Sequence, residues 1–349
     1  MDVLMNLSFD LPLFYFLLLG FAILMYVLLD GFDLGIGILY PFFPNEADKD
    51  TLMRSISHVW DGNETWLVFG GVILFGAFPA AYAGLTSALY APIMLMLIGL
   101  IFRGVAFEYR FKSTTSKRWW NRAFAAGSTL AACCQGLMLG ILIGGTPEHS
   151  ASPLSLLTPF TLFTALAVPA GYALLGCCYL VMKCQGPRQQ QAARYGQRLV
   201  WVMMAAMAIV SLATALGSDA IWQRWFADGH FLWLWPLPLM ALLAALRLHR
   251  DLGRVQQSLG AGSLPRSRHE DRPFWLAVSL FVLGFAGLLV SLFPAILPGK
   301  LSYAEAAAPS ASLEFMLPGV LIFVPLILAY TIWGYRIFAG KVEDFSEGY

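Results

Sequence analysis

Nine apolar runs, each long enough to cross a lipid bilayer as a helix, constrain this chain more than any other feature of its sequence. A hydrocarbon core of about 30 Å needs roughly 20 apolar residues in a helix. Runs of that length are centred near Leu19, Gly71, Met96, Cys134, Val168, Ala206, Leu239, Val282 and Ile327. Only 12% of the 349 residues are charged and 58% are hydrophobic, whereas soluble domains carry about 25% charged residues. The sequence therefore predicts an all-α integral membrane protein with about nine transmembrane helices.

Two of the runs have features that bear on this count. The first begins near Leu11 without a basic segment before it and is too long for the core of a signal peptide, so we expect no cleavable leader. The seventh, roughly 231–248, contains Pro236 and Pro238. Prolines are tolerated in membrane helices when neighbouring groups satisfy the freed carbonyls, so we expect this run to span as well.

Basic residues occur in alternate loops, which predicts the orientation. They cluster between runs three and four, between five and six, and between seven and eight, whereas the intervening loops hold only Arg224 and Lys300. Because basic loops stay on the cytoplasmic side, we expect a periplasmic N-terminus and a cytoplasmic C-terminus. The chain is then one polytopic membrane domain, residues 1–349, with a flexible polar cytoplasmic loop at about 249–273.

Composition also narrows the partners and the redox chemistry. The net charge of +1 gives no basic surface for nucleic acid. The five cysteines lie in or beside apolar runs, so we interpret them as packing residues in lipid rather than as disulfides. Glycines four residues apart, Gly31 with Gly35 and Gly136 with Gly140 and Gly144, predict close helix packing.

Charged residues at membrane depth are expensive, so each is a candidate functional group. In this chain they fall on the first three runs, with His58 beside them: Asp30, Asp33, Asp61, Glu64, Arg103 and Glu108. At 1.5 Å per residue, Asp30 lies about 27 Å from the outer end of its helix, and Asp61 lies about 10 Å from the inner end of the next. We expect all of them in the cytoplasmic half of the membrane.

Two interpretations of this cluster remain open from the residues alone. In the first, Arg103 pairs with one or two carboxylates and joins three helices near the inner surface. In the second, buried carboxylates carry protons inward from the cytoplasm. One arginine cannot neutralise five acids. Metal or haem ligation by this chain is not expected, because only His58 among the five histidines lies at membrane depth.

Three sequence strings resemble subunit II of the cytochrome bd quinol oxidase family. The first is DGFDLGIG from Asp30 to Gly37, the second is HVWDGNETWL from His58 to Leu67, and the third is FRGVAFEYR from Phe102 to Arg110. They cover roughly the first third of the chain. Further on, the likeness depends on span count and on VPLIL, residues 324–328. Each of the three strings carries charges that a membrane helix otherwise avoids.

The resemblance implies a heterodimer in the bacterial cytoplasmic (inner) membrane. The partner, subunit I, holds two haems b and one haem d, and the complex oxidises quinol and reduces dioxygen to water. Protons are taken from the cytoplasm and released outside, so a proton motive force develops without pumping. Subunit II binds none of the haems. The resemblance leaves open a small accessory single-helix subunit and a bound quinone or lipid in this chain.

Carried over by matching positions, the resemblance makes Asp33 and Asp61 the first candidates for a proton path. Asp30, His58 and Glu64 are secondary candidates. Trp66 matches a tryptophan beside the family's dioxygen route.

Arg103 and Glu108 match motif positions as well, and we assign both a structural role in ion pairing. No residue of this chain is expected to act directly in haem chemistry.

Two other classes of function are alternatives to the oxidase subunit. A proton-coupled secondary transporter would also use acids on the first two helices, but transporters usually show paired repeats with a site near the bilayer midplane. Here the charged cluster lies off-centre, and no second half of the sequence repeats it. An inert membrane scaffold would leave the unpaired acids unexplained.

Overall fold

A computed structural model describes residues 10–145, 153–227, 231–258 and 270–342, and these residues are almost wholly helical. The α-helices in chain order are α1 (Leu11–Leu39), α2 (Glu46–Ile56), α3 (Trp60–Ala77), α4 (Pro79–Ala88), α5 (Tyr90–Arg110), α6 (Lys117–Gly144), α7 (Pro159–Lys183), α8 (Gly186–Leu216), α9 (Asp219–Phe226), α10 (Phe231–Leu234), α11 (Pro236–Ser258), α12 (Arg272–Leu292), α13 (Tyr303–Ala306) and α14 (Ser310–Ile337). Short 3₁₀-helices occupy Tyr40–Phe42 and Pro153–Leu156. Two short strands, β1 (Ala295–Leu297) and β2 (Leu301–Ser302), pair antiparallel.

Eight helical segments in the described part of the chain are long and apolar enough to cross a membrane. They are Leu11–Phe42, Tyr90–Arg110, Lys117–Gly144, Pro159–Lys183, Gly186–Leu216, Leu232–Gln257, Arg272–Leu292 and Ser310–Ile337. These segments confirm eight of the nine predicted runs, including the proline-containing seventh. The prediction of a multi-span helical membrane protein is confirmed, and the orientation of the termini stays a prediction.

The second predicted run does not form a helix of this kind. Helix α3 has 18 residues, and its first turns carry Asp61, Asn63 and Glu64, which lower its mean hydropathy. The helix ends at Ala77, and Pro79 begins α4. Proline has no backbone N–H with which to continue the hydrogen bonds of a helix, so α3 ends just before Pro79.

The predicted cytoplasmic loop at about 249–273 is wrong in its first part. Helix α11 continues to Ser258, because Asp251, Leu252 and Val255 are buried against neighbouring helices. The Asp251 carboxylate accepts hydrogen bonds from Arg247 and Arg254 on the same helix. Residues 259–269 lie outside the described residues.

The centre of the molecule is the contact between α1 and α7. A Cβ on Gly35 would overlap the backbone carbonyl of Tyr172, and a Cβ on Gly176 would lie 2.7 Å from the carbonyl carbon of Gly35. The two backbones therefore approach each other more closely than any side chain would permit. The predicted role of Gly31 and Gly35 in helix packing is confirmed.

The second predicted glycine face is confirmed in part. A Cβ on Gly136 or on Gly140 would collide with Thr164 of α7, so both glycines allow α6 to approach that helix. A Cβ on Gly144 would meet no heavy atom within 4 Å. The close contact between α6 and α7 therefore ends before the last turn of α6.

Cysteines contribute to packing, as the sequence predicts. All five are free thiols: Cys133, Cys134, Cys177, Cys178 and Cys184. Four of them are buried and Cys133 is partly buried. They fill small volumes in the helical core, where cysteine behaves as a small hydrophobic residue.

Candidate functional site

A buried arginine of α5 lies between acids from two other helices. Arg103 Nη1 lies 2.6 Å from Asp30 Oδ1 on α1, and its Nη2 contacts Glu64 Oε1 on α3. The side chains of Arg103 and Asp30 are fully buried, whereas that of Glu64 is 26% exposed. The planar guanidinium can face two carboxylates at once. Arg103 therefore joins α1, α3 and α5 electrostatically.

A hydrogen-bonded line of side chains connects α14, α3 and α1 beside this ion cluster. The Tyr335 hydroxyl donates to Asn63 Oδ1 at 2.9 Å, and Asn63 Nδ2 donates to Asp33 Oδ2 at 2.7 Å. Asp33 is fully buried, and Asn63 is 1% exposed. Asp33 lies three residues after Asp30, so both carboxylates are on the same face of α1.

The Tyr335 end of this line borders a small cavity of about 10 Å³. His58, Lys183, Tyr335 and Phe338 are among the residues that line it. The His58 ring stacks on Phe338 with its centroid 4.1 Å away. Burial, and then the positive charge of Lys183, lower the pKa of His58 below its usual value. His58 is therefore mostly neutral at neutral pH and can accept a proton.

The ion cluster contains more negative groups than positive ones. Asp30, Asp33 and Glu64 converge on a single cation, Arg103. Among the described protein groups, Asp33 Oδ1 receives no hydrogen bond, whereas Asp30 Oδ1 is held by its ion pair with Arg103. An unpaired charge in a low-dielectric interior is costly. The arrangement therefore favours a proton shared among these carboxylates over full ionisation.

Two of the predicted acids lie outside this buried group. Asp61 is exposed, in the first turn of α3, because a turn at Ser57–Val59 separates α2 from α3. The predicted depth of Asp61 assumed one continuous helix from Arg54, whereas α3 begins at Trp60. The depth of Asp61 in the membrane stays a prediction. Glu108 is also exposed, and its carboxylate lies 3.5 Å from Lys112 Nζ rather than beside Arg103.

Trp66 lies in an apolar cluster between α1, α3 and α14. Its ring is fully buried, with edge contacts to Phe21 at 5.6 Å and Phe69 at 6.0 Å between centroids. The indole Nε1 has no hydrogen-bond partner among the described groups. Trp66 thus contributes an apolar wall one turn along α3 from Asn63.

Asn63 and Tyr335 are the residues that sequence reasoning missed. Asn63 is a polar residue inside a predicted membrane run and could have been found by that criterion. Tyr335 lies near the end of α14, 272 positions away from Asn63 in sequence. Nothing in its local sequence indicates that it completes the line to Asp33.

A second polar network missed by sequence reasoning holds the amphipathic helix α2 in place. The guanidinium of Arg110 is fully buried and contacts Glu46 and Asp50 of α2. Asn121 of α6 accepts from Arg110 Nε at 2.6 Å and donates to Glu46 at 3.0 Å. The network fixes α2 across the ends of α5 and α6.

The donor set of the described residues does not fit a haem or a metal ion. No group of three or more His, Cys, Asp or Glu is placed to hold a metal there. The two described histidines lie in different surroundings, since His58 stacks on Phe338 whereas His249 Nδ1 lies 3.1 Å from Trp201 Nε1. The expectation that haem ligands belong to the partner stays a prediction.

Comparison with known proteins identifies the family. The family model described as Cytochrome bd terminal oxidase subunit II matches residues 11–338. The chain belongs to this family. It is 26% identical to cytochrome bd-I ubiquinol oxidase subunit 2 of Escherichia coli strain K12, over 95% of this chain and 96% of that protein. It is 25% identical to cytochrome bd ubiquinol oxidase subunit 2 of Bacillus subtilis, over 94% and 96%.

The fold of the chain agrees with that of a chain in a solved bd oxidase. A chain of the bd oxidase from Geobacillus thermodenitrificans superposes with a TM-score of 0.73 at 18% identity, covering 94% of this chain and 98% of that one. As a member of the subunit II family, this protein is part of a cytochrome bd terminal oxidase complex and not a secondary transporter. Its apolar helices and its bacterial relatives place it in the bacterial inner membrane.

Proposed function

We propose that this chain is the subunit of a quinol-oxidising cytochrome bd complex that conducts protons from the cytoplasm toward the site of dioxygen reduction. The haems, two b and one d in the family, supply the electron transfer and the dioxygen chemistry from the partner, subunit I. Quinol provides the electrons, and water is the product. The protons consumed in forming water are taken up from the cytoplasm, and the protons from quinol are released outside. These two steps generate the proton motive force without pumping.

The observation that carries this proposal is the hydrogen-bonded line from the His58 cavity through Tyr335 and Asn63 to Asp33. The line begins where the polar ends of α3 and α14 meet, and it ends on a buried carboxylate. A neutral imidazole at His58 can accept a proton that enters the cavity and pass it on. Asn63 holds the Asp33 carboxylate in position and leaves its second oxygen, Oδ1, available for a proton.

From Asp33 the path continues to the carboxylates grouped around Arg103. Asp30 is one helical turn away on the same face of α1, and Glu64 contacts the other arm of the guanidinium. Arg103 holds both of these carboxylates in place, so a proton at Asp33 has two neighbouring acceptors for onward transfer. Glu64 and Asp61 then extend the path to the exposed side of α3.

We assign the face formed by α3 and α14 to contact with subunit I. Helix α14 is the least buried of the eight candidate spans, with only Leu313 and Val320 enclosed. Gly62 of α3 lies against Tyr330 of α14, so Asp61 is beside the same face. A protein partner there would cover the exposed Asp61 carboxylate with polar groups more favourably than lipid would. Trp66, just inside this face, would form a wall of the dioxygen route.

The proposal is tested by Asp33→Asn and Asp61→Asn in the intact complex. Proton delivery through a positioned acid contributes about 10²–10⁴ to rate, so we expect quinol-dependent oxygen uptake to fall by about tenfold or more in each variant. Haem content, measured by reduced-minus-oxidised spectra, should remain that of the wild type. Glu108→Gln is the matched control, because it also removes a charged carboxylate of a family motif, and we expect unchanged turnover.

Loss of haem and of assembly together in both Asp variants would contradict the proton path and favour a purely structural role. Normal turnover in both variants would exclude these two acids from the path. A chain that purifies alone, without haem bands from a larger partner, would contradict the oxidase function itself.

A further inference from the structure

An open cleft of about 550 Å³ lies between α8 and α11, on the side of the molecule predicted to face the cytoplasm. None of the residues that line it lines the His58 cavity or belongs to the proposed proton path. The residues that line it are Arg194, Gln197, Arg198, Trp201, His249 and Gln256. On α8 the two arginines and the tryptophan follow the spacing i, i+4, i+7, so they share one face of the helix.

The two arginines of the cleft have no carboxylate partner among the described residues. Other arginines nearby are neutralised, since Arg188 lies 2.6 Å from Asp48. Asp251, an acid of α11, is already engaged by Arg247, Arg254 and Arg272. The cleft therefore presents two uncompensated positive charges four residues apart, a spacing that lets both guanidinium groups reach one phosphate.

Side-chain hydrogen bonds hold the two walls of the cleft in a fixed relation. Trp201 Nε1 lies 3.1 Å from His249 Nδ1, and Gln197 Nε2 donates to the His249 carbonyl at 3.2 Å. Both contacts join α8 to α11. The cleft is thus formed before any ligand binds, which reduces the ordering cost of binding.

The surface next to the cleft changes from basic to apolar within one helical turn. Trp201 is 42% exposed, and beyond it Val202 and Leu242 are 49% and 41% exposed. Tryptophan prefers the boundary between headgroups and hydrocarbon. A ligand that fits both parts has an anionic head beside the arginines and an apolar tail along Val202 and Leu242.

We propose that this cleft is a binding site for an anionic phospholipid, with the headgroup phosphate held by Arg194 and Arg198. Basic pockets between membrane helices on the cytoplasmic side bind anionic headgroups in this way. The acyl chains lie over Trp201 and along the apolar surface below it. This site is separate from the proton path and does not depend on it.

The test is a lipid titration of the purified, delipidated complex, followed by native mass spectrometry. The probes are phosphatidylglycerol, zwitterionic phosphatidylcholine and inorganic phosphate, each added to the wild type and to the double variant Arg194→Gln with Arg198→Gln. Each basic residue near a headgroup contributes about 1 kcal/mol, so the double variant should bind phosphatidylglycerol roughly thirty-fold more weakly. The matched control is Arg118→Gln with Arg122→Gln. These residues are also four apart, exposed and without a carboxylate partner among the described residues, but they lie on α6.

The expected result is one phosphatidylglycerol site per complex that the control retains and the double variant loses. Equal affinity in the double variant and the wild type would overturn the proposal. An equal loss in the control would overturn it too, because the effect would then be diffuse surface charge. Displacement of the lipid by millimolar inorganic phosphate would show a site for free anions instead. If the double variant fails to assemble, Arg198→Gln must weaken binding and Arg198→Lys must retain most of it.

Discussion

At the scale of single residues, the defining feature is a cation and three acids that lie together where α1, α3 and α5 meet. Arg103 is fully buried and satisfies Asp30 and Glu64 together. Such a group stabilises the helices only while every member is present, because removal of one partner leaves an uncompensated charge in a low-dielectric interior. The same group supplies carboxylates that can hold a proton.

Replacement of Arg103 tests its contribution to stability separately from the role of the acids in proton transfer. Arg103→Gln leaves Asp30 without its cation, and we expect the free energy of unfolding to fall by about 3–5 kcal/mol. Thermal unfolding of the purified complex in mild detergent measures this loss. Arg103→Lys is the control, since it keeps the charge but not the planar geometry, and its loss should be smaller. Wild-type stability in Arg103→Gln would show that the ion pairs are not structural.

The link between Tyr335 and Asp33 predicts a second effect at this scale. Asn63→Leu keeps a side chain of similar size but removes both hydrogen bonds of the line. We expect slower oxygen uptake by the complex at unchanged haem content. Tyr335→Phe removes only the hydroxyl group and should reduce uptake in the same direction. Unchanged uptake in both variants would place the proton path elsewhere.

At the scale of elements, close backbone contact holds α1 and α7 together. A methyl group at Gly35 would enter the space of the Tyr172 carbonyl, and backbone cannot move aside as a side chain can. We expect Gly35→Ala to destabilise the protein by about 1–3 kcal/mol or more, measured as a lower midpoint of thermal unfolding. The control is Gly287→Ala in α12, where a Cβ would meet no heavy atom within 4 Å. Equal effects of the two substitutions would contradict this explanation.

The attachment of α2 predicts a dependence of stability on pH. Partial burial opposes the charged form of Glu46, but hydrogen bonds from Asn121 and Lys49 and the charges of Lys49 and Arg110 outweigh it and lower its pKa below 4.5. A carboxylate with a lowered pKa in the folded state stabilises that state above the unfolded pKa. That contribution is lost as the pH falls through the folded pKa.

We therefore expect Glu46→Gln to destabilise the protein at neutral pH and to match the wild type at a pH well below 4.5. Thermal unfolding midpoints of both proteins between neutral and acid pH measure the difference. The difference should shrink as the pH falls. A difference that stays constant with pH would exclude the charge of Glu46 as its cause.

At the scale of the whole molecule, the exposed face of α14 and α3 predicts where the partner subunit binds. A photoreactive benzoylphenylalanine in place of Tyr330 should form a crosslink to the partner. The same group in place of Trp275 on α12, a residue with the same 64% exposure, should not. Both results are measured as a change in the gel mobility of the chain after native membranes are illuminated. Crosslinks from Trp275 alone would assign the interface to the exposed face of α12 instead.

Much of this architecture could be predicted from the sequence because hydrophobic length and loop charge are local properties. The apolar runs determined eight spans, and the three charged strings determined which helices carry the acids. The glycine spacing also identified Gly31 and Gly35 as a contact. The first part of the predicted loop at 249–273 was wrong, because the end of α11 depends on the burial of residues such as Leu252. The turn at Ser57–Val59, which separates α2 from α3, was not predicted either.

Only the tertiary structure decided which polar groups meet. The sequence alone predicted that Asp30, Asp33, Glu64 and Arg103 share one half of the membrane. Whether a carboxylate faces an arginine, an asparagine or the surface depends on the rotation and approach of whole helices. Those are set by backbone contacts such as Gly35 against Tyr172, across more than a hundred residues of chain. Hence Asp33 is enclosed by Asn63, whereas Asp61, two residues before Asn63, points outward.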